Sequence, residues 1–312
     1  MIDKNSKILI VGHDDVLDQS LQSYLAKERF TAVSSTAKIA LDTTIQPSVY
    51  DYFQKNRPEY VIVTSVMSGG IGANQKYPAD LLYKNSESQN NILYAAWKFG
   101  VKKLLYLAAS CVYPKDCPQP MKEEYLLTGK LEETSAAYSI AKISGIKLCQ
   151  AYRRQYGLKT IAAVPATIYG PGSDTDLEKA HVMGALMAKF STAIKNGDSK
   201  VTVWGTGHPR REFLYADDFA EATVVLLNRY DQEELINLGS GQDVTIKDLA
   251  QMIGRVSGFK GEIIFDTTMP DGAMQKLLDG GRIGNLGWKP KVGLEEGVRR
   301  MWEWCRDKKR GL

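Results

Sequence analysis

No stretch of this chain reaches the run of about 18 apolar residues that a bilayer-spanning helix requires. The opening Met1-Ile2-Asp3-Lys4 leads into no apolar signal core. A membrane-free, cytoplasmic protein is therefore expected. Cysteine is scarce, and Cys111, Cys117, Cys149 and Cys305 show neither the paired spacing of a zinc site nor a disulfide framework, so no metal is expected. Charge of one sign is not in excess: 40 Lys and Arg face 36 Asp and Glu, for a net charge of +4. No basic block interleaved with aromatics marks a nucleic-acid surface. Internal repeats and low-complexity segments are missing too. What remains is 312 residues, 44% hydrophobic and 24% charged, enough for one large or two modest domains with a real core.

Residues 7–11 form a short apolar run, followed by a turn and an amphipathic stretch at 16–29, which reads as strand then helix. Residues 60–64, 104–108 and 160–164 are further buried-strand candidates, and helical stretches fall at 48–56, 78–99 and 137–156. Strands alternating with helices of this length predict an α/β fold with a Rossmann-like, doubly wound parallel sheet. Ligands bind such sheets at the carboxyl ends of the strands. Past Tyr169-Gly170-Pro171-Gly172 the pattern loosens, with helices read at 181–196, 217–228, 246–256 and 294–309 and a strand at 200–204.

Tyr138 and Lys142 stand four apart within 137–156, so on a helix they share one face. A neighbouring ammonium favours phenolate and makes the tyrosine a usable proton donor or acceptor. Taken alone, the pair is also an ordinary solvated helix face. Its surroundings are more specific. The string PQPMKEEYLLTGKLEETSAAYSIAKISGIKLCQAYRRQY at 118–156 resembles the GDP-L-fucose synthase family of extended short-chain dehydrogenase/reductases, which lies within the NAD-dependent epimerase/dehydratase superfamily. So do VWGTGHPRREFLYADD at 203–218 and PDGAMQKLLD at 270–279, and the resemblance runs from about Lys7 to Trp304. It implies a Rossmann-like domain over 1–170, with the chain crossing back near 205–235, and a smaller C-terminal α/β lobe over 171–312 that holds the sugar nucleotide. It also implies a homodimer built on the helices at 78–99 and 137–156.

The dinucleotide turn departs from the family. Relatives carry Gly-x-x-Gly-x-x-Gly, whereas this chain reads Gly12-His13-Asp14-Asp15-Val16-Leu17-Asp18. Asp15 and Asp18 thus replace glycines that let a pyrophosphate rest on a helix amino end. Two unit charges about 4 Å apart repel by about 4 kcal/mol at an effective dielectric near 20. The carboxylates could instead cap the helix. The family's arginines for an adenosine 2′-phosphate fall at Ser34, Ser35 and Thr36, and the acid near the adenine falls at Ile45 or Asp42. The small residues after the strand at 60–64 become Thr64-Ser65-Val66, and an asparagine becomes Thr167. Gly12, Asp15, Asp18, Lys142 and Thr167 are the candidate, degenerate cofactor residues.

In the family one site first moves protons at C3 and C5 of a GDP-4-keto-6-deoxy sugar, then reduces the C4 ketone with NADPH. By resemblance Cys111 and His181 move the protons, and Tyr138 with Lys142 polarises the ketone. The family's serine four residues before Tyr113 is Ala109, which removes one oxyanion donor; Ser110 would point the other way if the strand continues. Lys189, Trp204, Arg211 and Asp271 are the expected substrate contacts. Without the resemblance, Cys111 reads as core, His181 as a helix cap, Trp204 as lobe core, Arg211 as paired with Asp217 or Asp218, and Asp271 as a turn former. The favoured expectation is a GDP-keto-sugar epimerase, on a 6-deoxyhexose or related heptose, with C4 reduction lost or impaired and no cofactor required. Two alternatives stand beside it: the full NADP(H)-dependent epimerase-reductase, and a catalytically silent homologue that binds sugar nucleotide or an active partner.

Overall fold

Ile8, Leu9, Ile10 and Val11 are all buried, as a parallel strand needs when sheet flanks it and helices cover both faces. The computed structural model that shows this describes residues 1–13, 15–64, 67–177, 179–269 and 271–310, with backbone alone at 71 and 308–310. Asp14, Ser65, Val66 and Pro270 lie outside the described residues. The first half of the chain alternates β1 (Ile8–Val11), α1 (Val16–Lys27), β2 (Val33–Ser35), α2 (Thr36–Ile39), α3 (Gln46–Asn56) and β3 (Tyr60–Val63). Next come α4 (Ile71–Lys76), α5 (Pro78–Lys98), β4 (Lys103–Leu107), α6 (Ala136–Tyr156) and β5 (Thr160–Pro165). The second half holds β6 (Thr167–Tyr169), α7 (Val182–Asn196), β7 (Lys200–Trp204), β8 (Arg210–Tyr215), α8 (Ala216–Arg229) and β9 (Ile236–Leu238). It ends with β10 (Asp243–Thr245), α9 (Ile246–Ser257), β11 (Glu262–Asp266), β12 (Gln275–Lys276), α10 (Gly281–Asn285) and α11 (Leu294–Arg310).

The main sheet has the order β2-β1-β3-β4-β5-β9 with every pair parallel. Strand order reverses between β1 and β3, so the ligand crevice opens there, beyond Gly12 and Thr64. The sequence reading of a doubly wound parallel sheet agrees with this. A smaller sheet, β10-β8-β12 with β6 beside β8, and the pair β11-β7 carry a second core around Phe190, Val203, Leu249 and Met301. Among the described residues no helix is long and apolar enough to cross a membrane.

One contact brings the second long helix onto the sheet. Gly145 of α6 lies against the Tyr106 ring of β4, where a methyl group would collide. Tyr106 Oη donates to Gln89 Oε1 at 2.7 Å, and Gln89 Nε2 donates to the Ala141 carbonyl at 3.0 Å. Sheet, α5 and α6 are thus latched through buried polar atoms that all have partners. Gly145→Ala is expected to destabilise the fold by about 1–3 kcal/mol through overpacking, read by urea denaturation; an unchanged midpoint would remove the close approach from the account.

Candidate active site

The latch sets the height of Lys142. One helical turn before Gly145, its side chain is 2% exposed and its Nζ donates to the Thr64 carbonyl at 2.6 Å and the Leu107 carbonyl at 2.8 Å. Those carbonyls follow β3 and end β4, so the ammonium lies at the carboxyl edge of the sheet. Tyr138, one turn earlier and half-buried, presents its ring 5.7 Å from Nζ. The structure therefore brings the pair together on one face of α6. Burial pushes the Lys142 pKa down to about 7, while Cys111 and Asp15 nearby draw it upward.

Cys111 sits in a single 3-10 turn, Ser110–Val112, directly after β4. The strand does not continue past Leu107, so the alternation argument that turned Ser110 away has no basis. The turn is held from behind by Tyr113, whose Oη donates to Asn237 Oδ1 of β9 at 2.6 Å. His181 immediately precedes α7, yet its side chain makes no capping hydrogen bond, so the reading of it as a cap does not hold. The residue is exposed to solvent, although surrounding protein atoms still depress its pKa. Lys276 adds to the depression and Asp174 opposes it. The imidazole is thus kept neutral at pH 7, the form able to accept a proton.

Sequence reading missed Lys276, which belongs to this group. It pairs with Arg211 in the register of β12 on β8. Buried Glu212 fixes that strand by accepting from the Leu278 N–H at 2.8 Å and the Gly241 N–H at 2.7 Å. Burial lowers the Lys276 pKa, opposed by Cys111 and reinforced by Arg211. Arg211 is lowered by burial and opposed by Asp271. These mutual influences trace a line of neighbours: Lys142, Cys111, Lys276, Arg211, Asp271. The signal available in sequence was the unbroken Lys-Leu-Leu-Asp of the 270–279 string.

At the far end of the line, Trp204 is 60% exposed at the tip of β7 and excludes the lobe-core reading. Lys189 Nζ donates to the Thr202 carbonyl at 2.8 Å and lies 5.1 Å from the Trp204 ring centroid. Arg211 Nη1 donates to the Arg210 and Ala273 carbonyls at 2.7 and 2.6 Å rather than pairing with Asp217 or Asp218. Asp271 closes a turn by accepting from Thr206 N–H at 3.0 Å and Thr206 Oγ1 at 2.7 Å.

The dinucleotide turn is partly rebuilt. Asp15 caps α1, its Oδ1 accepting from the Leu17 and Asp18 N–H groups at 2.9 and 3.0 Å, and His13 Nε2 lies 3.2 Å from Asp15 Oδ2. Asp18 is fully buried. Its Oδ1 accepts from Ser35 Oγ at 2.6 Å and its Oδ2 from the Gln22 amide. The expectation that Asp18 thrusts bare charge into a pyrophosphate path is therefore corrected, because both its oxygens are engaged by neighbouring side chains. Thr36 Oγ1 accepts from the Gly12 N–H at 3.0 Å and donates to its carbonyl at 2.8 Å. Beside this lies a cavity of about 330 Å³ lined by Gly12, Thr36, Asp42, Thr44 and Lys84 among others. A cavity at the β1 and β2 ends, with Lys142 anchored at β3 and β4, lies where a doubly wound sheet takes its ligand, with Asp15 on the α1 amino end beside it. Thr167 is half-buried on β6, opposite Phe213 of β8.

Residues 8–239 match the NAD dependent epimerase/dehydratase family. The chain is 45% identical to "GDP-L-fucose synthase 1" of Arabidopsis thaliana over 97% of this chain and 94% of that protein. Its fold is similar to a GDP-6-OMe-4-keto-L-xylo-heptose reductase from C. jejuni, with TM-score 0.92, 32% identity, and 98% and 99% of the two chains covered. It is also similar to MlghC, a GDP-mannoheptose C4 reductase from Campylobacter jejuni with NADP bound, with TM-score 0.90, 33% identity, and 98% and 100% covered. That last likeness overturns the expectation that no cofactor is required, since a whole-chain relative of the same fold holds NADP.

Because burial lowers the Lys142 pKa from 10.5 to about 7, the unfolded chain binds more protons than the folded one between those values. Stability is then expected to rise as pH climbs through that window. Thermal denaturation of Lys142→Met should lose that slope, and a wild-type curve parallel to the variant's would show that the ammonium is not desolvated.

Proposed function

This chain belongs to the NAD dependent epimerase/dehydratase family and within it to the GDP-L-fucose synthase group, and we propose that it is a complete epimerase-reductase for a GDP-4-keto-6-deoxyhexose or the related heptose. The observation that carries this reading is the anchoring of Lys142 on the Thr64 and Leu107 carbonyls with Tyr138 beside it. An epimerase could use the same pair to polarise the ketone, and what favours the complete enzyme is that pair together with the whole-chain likeness to a mannoheptose C4 reductase that holds NADP. When bound, a reduced nicotinamide dinucleotide supplies hydride; NADP is the form that the mannoheptose reductase holds. Residues 1–170, with the return near 205–235, would carry the dinucleotide, and 171–312 the sugar nucleotide.

In this reading Lys189, Arg211 and Lys276 receive the anionic diphosphate, Trp204 offers its exposed face to the nucleoside or sugar, and Asp271 orders the rim. The C4 ketone acidifies the neighbouring C–H bonds, so a neutral His181 takes a proton from one carbon and Cys111 exchanges one from the opposite side. Tyr138 hands a proton to the C4 oxygen, and Lys142 stabilises the phenolate left behind. The two long helices also suit a homodimer. On these helices Leu81, Ile92 and Ala95 are wholly buried against the chain's own core, but Tyr83, Ile140 and Tyr156 are 63%, 50% and 44% exposed.

With a GDP-4-keto-6-deoxyhexose in deuterated buffer, the wild type is expected to incorporate deuterium at C3 or C5 and to oxidise reduced coenzyme in proportion to product. Cys111→Ser should lose incorporation while still reducing the unepimerised ketone, and Tyr138→Phe should lower reduction by about 10²–10⁴. Deuterium uptake with no coenzyme oxidation would sink the complete enzyme. For assembly, sedimentation should show a dimer that Ile140→Glu shifts to monomer; a monomeric wild type would refute the helical interface.

A further inference from the structure

In a dinucleotide fold the end of the second strand faces the adenosine ribose. An acid there accepts from the ribose hydroxyls of NAD, whereas an arginine receives the 2′-phosphate of NADP. The end of β2 here is Ser34-Ser35, followed by Thr36. Two of these side chains point into the fold's own turn. Thr36 Oγ1 bridges the Gly12 N–H and carbonyl, and Ser35 Oγ donates to Asp18. Asp18 and Ser35 are 0% and 2% exposed. The third-glycine position has therefore placed a carboxylate directly under the end of β2, delivered from α1 rather than from the strand.

The surrounding charges point the same way. In the adjoining cavity Lys84 shares the wall with Asp42, and its Nζ lies 3.6 Å from Asp80. Lys38 on α2 is exposed to solvent. Asp15 stands at the α1 amino end with His13 against it. Around this end of the crevice the acids Asp15, Asp18 and Asp42 thus face Lys38, Lys84 and His13, and among the described residues no guanidinium lines the adjoining cavity to fork onto a phosphate. A second phosphate on the ribose enters a field already negative beneath it, while unmodified ribose hydroxyls bring no charge into that field.

Building on the reductase reading above, we infer that this site binds NAD(H) at least as tightly as NADP(H), and that Asp18, held by Ser35, sets the choice. Asp18 is a positioning and selectivity residue; it touches no reacting atom. The test is titration calorimetry of the full chain with NADH and with NADPH, at one fixed salt concentration. The dissociation constant for NADH is expected to equal or fall below that for NADPH. Asp18→Asn, which keeps an acceptor for Ser35 and removes the charge, should improve NADPH relative to NADH by about tenfold, the worth of roughly one screened charge contact. Tighter binding of NADPH by the wild type, or an unchanged ratio in Asp18→Asn, overturns this inference and leaves the reductase reading standing. Binding of neither coenzyme defeats both.

Discussion

The site depends on one buried ammonium held between two strand ends. Lys142 reaches Thr64 and Leu107 from an α6 that packs close to the sheet, where position 145 has no side chain to strike Tyr106. The parallel register of β3 and β4, with Val63 opposite Tyr106, puts the two carbonyls side by side. Burial drives the lysine toward losing its proton and brings its pKa to about 7, while the nearby Cys111 and Asp15 act in the opposite direction. A group poised this way can shift charge with little cost when a neighbouring phenol does.

From that point the cleft is ordered by sign. Lys142, Lys276, Arg211 and Lys189 all have pKa values lowered by burial, which means that each holds its charge at some expense while no anion is present. A diphosphate offsets that expense, so part of the binding energy of an anionic ligand is already stored in the fold. The opposite end of the crevice is acidic, with Asp15 capping α1 and Asp18 beneath β2. The two ends therefore differ in sign: the basic side suits an anionic diphosphate, and the acidic side penalises each further negative charge brought to it.

The sequence was most informative where burial imposes a simple pattern. The apolar runs at 7–11, 60–64, 104–108 and 160–164 became β1, β3, β4 and β5, because strands covered on both faces need no alternation. The long helices were equally legible from their period. Three-residue strands such as β2, β9 and β10 carry too few positions to show any period, and the residues of β8 read as a motif before they read as a strand. Site residues on helices and their caps could be placed by spacing, as with Tyr138 and Lys142. Asp18 could not, because its fate depends on Ser35, seventeen residues away on another element. Nor could Lys276, whose place is fixed by Glu212 reaching across from β8. The judgement that two aspartates had expelled the coenzyme treated side chains as if they pointed where glycine's hydrogen does.

Ala109 shows how the two halves of the chemistry are balanced. Its backbone is extended, at φ −151° and ψ 154°, a conformation that serine adopts as readily, so the fold makes no demand for alanine there. The missing hydroxyl is a chemical choice. Removing one donor to a developing oxyanion slows that step by about 10²–10³, and here the burden falls on Tyr138 and on the 3-10 turn at Ser110–Val112. Proton exchange at the carbons beside the ketone also builds charge on that oxygen, but an enolate spreads it over carbon and oxygen, whereas an alkoxide concentrates it. The lost donor therefore weighs more on reduction than on exchange. In the proposed enzyme, a ketone that waits longer for hydride would have more time to exchange protons through Cys111 and His181, and Ala109 would then favour complete epimerisation before the product is committed.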